Sequence, residues 1–224
     1  MIDIASICPG SREIHQQWLK AVHLNARHIA YPASILTRRD RRKALPIVIF
    51  ANEPPPDHSG LVLRLMRKAD LSAALELQSQ SYPEFLIESE EAFASRLDVA
   101  APYCLVAMLD GTLVGYLLAH GWPRQSPPAV GQLLSPTAAS EVLFIHDLSV
   151  GSAGRGLGIG RRLVEKAFEI AARDKLRTAE LIAVEGAATY WKSLGFAQVA
   201  TAPALAKAVA KYGPAARWME RRFS

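Results

Sequence analysis

The chain has 224 residues, 50% hydrophobic and 21% charged, with 26 Lys/Arg against 21 Asp/Glu for a net charge of +5; this describes an ordinary soluble globular protein and excludes a disordered chain. No stretch reaches the roughly 18 uninterrupted apolar residues of a membrane span, and the N-terminus lacks the basic-then-apolar order of a secretory signal. Cys8 and Cys104 are too few for a disulfide scaffold, and the six histidines show no HxxxH or HExxH spacing, so neither a metal nor a membrane is expected, and a reducing cytoplasm is.

In chain order, SREIHQQWLKAVHLNARHIAYP carries Ile14, Trp18, Ala21 or Val22, Asn25 and Ile29 at helical spacing, which predicts one weakly amphipathic helix. The densest basic cluster, TRRDRRKALP at 37–46, follows, and then IVIF and the linker ANEPPPDHSG. Three successive prolines followed by Asp, Ser and Gly set a boundary near residue 60. Residues 1–60 are read as an accessory extension ending in this Pro-rich linker, and residues 61–224 as the functional domain.

From Leu61 the pattern becomes regular. LVLRLM reads as a strand, Asp70 as the N-cap of a helix over LSAALELQSQ that ends before Pro83, and SEEAFASRL as a second helix with acidic residues in its first turn. YCLVAML and TLVGYLLAHGW flank Asp110-Gly111, the signal for a tight hairpin. After a proline-containing loop come VLFIHDLSV as a strand, a glycine-rich turn, and RRLVEKAFEIAARDK as a helix with Leu163, Ala167 and Ile170 on one face. LRTAELIAV, FAQVATA and ARWMERRF read as further strands, GAATYWKSLG as a short helix closed by Gly195, and ALAKAVAKYG as another. The order predicts a mixed α/β sheet in which only the part after the hairpin has the βαβ crossover that parallel pairing needs.

The turn GSAGRGLGIGRR at 151–162 is the chemically informative stretch. A strand that runs through glycines into a helix gathers backbone N–H groups and the positive end of a helix dipole at one spot, where an anion belongs. Arg155, Arg161 and Arg162 add charge suited to phosphate. The dinucleotide pattern GxGxxG fails at every register, and the nucleoside triphosphate loop fails because Leu157 stands where Lys is required.

Arg155-x-x-Gly158-x-Gly160 after an apolar strand resembles the R-x-x-G-x-G/A loop of the GNAT superfamily of acyl-CoA-dependent N-acetyltransferases. The succession of hairpin, strand, loop, helix, strand and a short helix running into YWKSLGF is also similar, over roughly residues 61–224. The resemblance implies a GNAT-like fold, with a mostly antiparallel central sheet, a parallel βαβ portion and flanking helices. It implies acetyl-CoA as cosubstrate, its pantetheine arm along the backbone of Leu148, Ser149 and Val150. The pyrophosphate would sit against Arg155, Gly156, Leu157, Gly158, Ile159, Gly160 and Arg161.

An alkyl ammonium has a pKa near 10.4, so making it neutral at pH 7 costs about 4.6 kcal/mol, and acetyl transfer needs a base. In HDLSV the residue that titrates near neutrality is His146, and the superfamily has a member with histidine at this place. Asp147 is the second candidate, and in a regular strand only one of the two faces a given cleft. Family members often carry a tyrosine four residues before the glycine of LGF, as acid toward the departing thiolate. Here Trp191 occupies that position and Tyr190 comes one residue early, so Tyr190 is the candidate acid.

The expected activity is transfer of acetyl to a primary amine of a small molecule or peptide by direct attack. The alternative is a non-catalytic acyl-CoA-binding sensor whose basic N-terminus contacts nucleic acid, although nucleic acid is not the expected partner. Glu84, Glu88, Glu90 and Glu91 could attract a cationic amine, and a homodimer is common for such folds.

Overall fold

A computed structural model describes residues 60–100, 103–135 and 140–224. The helix and basic cluster expected before residue 60, and the boundary there, lie outside or at the edge of the described residues. From Gly60 onward the described residues form seven strands: β1 Leu61–Leu65, β2 Leu105–Leu109, β3 Thr112–Trp122, β4 Val142–Val150, β5 Thr178–Ala183, β6 Ala197–Gln198 and β7 Arg217–Arg222. Five α-helices accompany them: α1 Leu71–Ser81, α2 Glu90–Ala100, α3 Ile159–Arg173, α4 Ala188–Ser193 and α5 Pro203–Ala210.

The strands form one mixed sheet in the order β1-β2-β3-β4-β5-β7-β6. Every neighbouring pair is antiparallel except β4 and β5, which are parallel and joined through α3. The β2–β3 hairpin closes at Asp110 (φ 48°) and Gly111 (φ 81°), two successive left-handed residues that match the twist of the strands they connect.

Period-two alternation sorts the core. Leu105, Ala107, Leu117 and Ala119 face α3, whose buried stripe is Ile159, Leu163, Val164, Ala167, Phe168 and Ala171. Val106, Tyr116 and Leu118 face the other way, onto Leu71, Ala74 and Leu77 of α1 and Phe93 and Leu97 of α2. Because β3 is covered on both faces, it reads as a near-continuous apolar run rather than an alternating one.

Three local expectations change. Asp70 does not cap α1 with its side chain. Its carboxylate instead takes both guanidinium nitrogens of Arg64 at 2.7 Å and the amide of Arg67 at 2.7 Å, since a bidentate cation outcompetes a neutral amide. The strand expected over 196–202 shrinks to Ala197–Gln198, because Pro203 starts α5 and turns the chain away from the edge.

The third change shapes the site. Leu118 of β3 pairs with Asp147, but the next residue, Ala119, pairs with Ile145. His146 is therefore an extra residue on β4, a β-bulge that bends the strand and re-aims its side chains. On its other edge β4 stays laddered to β5 only at Leu143, Phe144 and Ile145. Beyond that point the two parallel strands part.

Candidate active site

Where β4 and β5 part, a cleft of about 130 Å³ opens between them. One end is set by Tyr190 and Trp191 of α4, beside the start of α3. The other holds Leu86, Glu88, Val130 and Tyr212. His146 and Asp147 both border it, so the bulge overrides the strict alternation that would have kept one of them out.

Beside the first end, the glycine turn is built as an open rim. Gly156 (φ 79°) and Gly158 (φ 67°) are left-handed, and a Cβ added at either would meet no atom within 4 Å. Glycine is needed here for its backbone conformation, since side-chain-bearing residues rarely adopt it. The amide of Arg155 is spent on the Ser152 carbonyl at 3.3 Å, and the first amide bond of α3 runs from Arg162 to Gly158 at 3.1 Å. The amides from Gly156 to Arg161 between them have no backbone acceptor, as at any helix start. An anion fits this rim: free donors, a helix N-terminus and open space coincide. Arg161 is partly committed, to the Ser193 carbonyl at 3.0 Å and to Glu165 at 3.6 Å.

Gly160 answers to a different demand. The hydroxyl of Tyr190 occupies the space that a Cβ on Gly160 would need, so α4 closes directly onto the first turn of α3. Trp191, the residue at the usual tyrosine position, is instead buried against Phe196.

Leu148, Ser149 and Val150 continue β4 along the cleft side of the turn. The Leu148 carbonyl accepts from the Tyr82 hydroxyl at 3.1 Å, and the Ser149 hydroxyl donates to that of Ser81 at 2.7 Å. Ile159 is buried under the turn and packs in the core rather than presenting its side chain to the rim.

The polar centre of the cleft is a buried network. Asp147 accepts from the Tyr116 hydroxyl at 2.6 Å and the Gln78 amide at 3.0 Å, both on Oδ2, while its Oδ1 has no partner. Burial pushes the Asp147 carboxyl above the ordinary carboxylate range, against the hydrogen bonds from Tyr116 and Gln78 that favour its charge. His146 Nε2 lies 3.0 Å from Glu88 Oε2, and its Nδ1 has no partner. Burial raises the Glu88 carboxyl, but the hydrogen bond and charge of His146, the Arg96 charge and the Gly131 amide outweigh it and hold the group at about 2.

Gln78, Tyr82, Arg96, Tyr116 and His120 belong to this network or its wall and were not singled out in the sequence. Arg96 carried a readable signal: it lies four residues after Ala92 and three after Phe93, on the apolar stripe of α2, where an arginine needs a buried partner. Glu88 was read as one of four acidic residues at a helix start; only this one turns inward, with 3% side-chain exposure. Tyr212 donates to the Pro128 carbonyl and walls the cleft as a packed aromatic.

The model of the Acetyltransferase (GNAT) family matches residues 71–196. "Uncharacterized N-acetyltransferase YkwB" of Bacillus subtilis (strain 168) is 24% identical over 131 residues, which cover 52% of this chain and 57% of that protein. The match thus spans little more than half of that relative's length. Among solved structures, Ard1 from Thermoplasma volcanium superposes with a TM-score of 0.58 at 15% identity, over 74% of this chain and 99% of its own. Arabidopsis thaliana Naa50, in complex with the bisubstrate analogue CoA-Ac-MVNAL, gives 0.54 at 16%, over 73% and 99%. At such identities the likeness is one of fold.

Proposed function

The chain belongs to the acetyltransferase (GNAT) family, and from that premise we propose that it moves an acetyl group from acetyl-CoA to a primary amine of a small molecule or peptide by direct attack. The observation that supports this most is the run of uncommitted amides from Gly156 to Arg161 beside the Tyr190 end of a cleft that His146 borders. Naa50, of the same fold, holds a bisubstrate analogue that joins CoA to a peptide.

Acetyl-CoA supplies an activated thioester. The chain's own part is to hold and to deprotonate. Amides 156–161, with Arg155 and Arg161 beside them, receive the pyrophosphate, and Leu148, Ser149 and Val150 lead inward from it. His146 accepts the proton that the amine must lose, with Asp147 as the neighbouring carboxylate. Tyr190, whose hydroxyl lies against Gly160, is the group that can return a proton to the leaving thiol. A thiol with an ordinary pKa near 8.5 is a good leaving group even without that help.

At the acceptor end Leu86, Val130, Phe144, Ile182 and Val184 give apolar walls. The two carboxylates there already have partners. This favours an amine carried on an apolar body over a polyamine, which would ask for free negative charge.

The test is isothermal calorimetry with acetyl-CoA, followed by thiol release with matched apolar monoamines, diamines and short peptides. Binding together with turnover of an apolar amine is expected. Failure to bind acetyl-CoA overturns the reading.

A further inference from the structure

Glu88 borders the acceptor end of the cleft beside His146, and Arg96 is buried behind it. Resting on the reading above, we propose that Glu88, locked in place by Arg96, is the positioning residue for His146: its carboxylate accepts a hydrogen bond from Nε2–H and so leaves Nδ1 as the atom that accepts the amine's proton.

Glu88 is held from several directions. Oε1 accepts from Arg96 at 2.5 Å and from the Gly131 amide at 2.8 Å, while the Glu88 amide donates to the Gln78 side chain at 3.1 Å. Arg96 is itself fully buried and donates onward to the Gln132 carbonyl and to Ser95. With those contacts fixed, Oε2 points at His146 Nε2, 3.0 Å away.

An ionised carboxylate only accepts, so the nitrogen facing it carries the hydrogen, and a neutral imidazole then has its lone pair on the other nitrogen. That nitrogen, Nδ1, is buried and has no partner in the chain, and the ring borders the cleft from which the amine, or one bridging water, would reach it. Arg96 also approaches Nε2, at 3.3 Å, but two donors cannot bond each other, and its shorter contact is with Glu88.

The charged and titratable groups around the ring are few. Glu88 and Arg96 offset each other, Asp147 follows on β4, and Tyr212 faces the pair from the turn after α5. His120 on β3 lies 5.8 Å away between ring centroids, with both nitrogens unpartnered. Burial, then the proximity of His146 and Arg96, keep it neutral. When His146 takes a proton, Glu88 is the carboxylate in direct contact with the imidazolium.

The test is a long-range 1H–15N correlation spectrum of the full chain labelled at histidine, recorded at alkaline pH without acetyl-CoA, with His146 assigned by its loss in His146→Asn. The expected spectrum has the His146 hydrogen on Nε2; a hydrogen on Nδ1 overturns the proposal. In Glu88→Gln, which keeps an acceptor but removes the charge, kcat should fall while KM for acetyl-CoA holds. An unchanged kcat also overturns it. The wild-type spectrum decides even if the variant folds poorly. Because it needs no turnover, an inactive protein showing the Nε2–H form would count against acetyl transfer and not against the positioning role.

Discussion

Replacing His146 with alanine removes the proposed proton acceptor from the wall of the cleft. Turnover should therefore fall by about 100-fold near pH 7 and by clearly less near pH 9, where more of the amine is already neutral; initial rates at the two pH values check this. Gly158→Val acts through the backbone, since a β-branched residue at φ 67° is strained and its side chain projects into space now open. Acetyl-CoA affinity, measured by calorimetry, should weaken by at least about tenfold, in line with roughly 1–3 kcal/mol of local strain. His146 and the turn glycines could be named as candidates from sequence because they lie close together, at the end of one strand and just after it. Glu88 and His146 are 58 residues apart, and Gln78 and Asp147 are 69 apart. Neither pairing leaves a local trace, so the network around the base became visible only once the chain was folded.

Helix α3 links the core to the cofactor rim, because its buried face fixes where its open N-terminus points. Leu163 is fully buried beneath β2 and β3, and Leu163→Ala should destabilise the protein by about 2–5 kcal/mol, read from urea unfolding. Long apolar runs bounded by turn residues were predictable from sequence nearly to the residue, as β3 and β4 were. The β-bulge at His146 was not, because it arises from pairing with β3 and changes no residue type. The short β6 was overread for a related reason: Phe196 and Val199 are apolar because they pack into two separate clusters, and the segment between them is exposed. The parting of β4 and β5, which makes the cleft, is likewise a property of the pair of strands.

For the whole molecule, the buried network ties stability to pH. The Glu88 carboxyl is held at about 2 in the folded protein against an ordinary 4.5. Its stabilising effect is complete above about pH 4.5 and is lost as pH falls toward 2. Asp147 runs the opposite way: its raised carboxyl favours the fold most at low pH and loses that contribution as pH rises. Glu88→Gln should therefore flatten the loss of stability between about pH 4.5 and 2, as followed by thermal unfolding across that range; a loss as steep as in the parent would contradict the assignment. Among the described residues no helix is long and apolar enough to cross a membrane.

The most direct measurement is a titration of 15N-labelled protein with CoA, followed through the backbone amides. Shifts concentrated at Gly156 to Arg161, and spreading along Leu148 to Val150, are the predicted result. Binding that left those amides unmoved while shifting others would contradict the account.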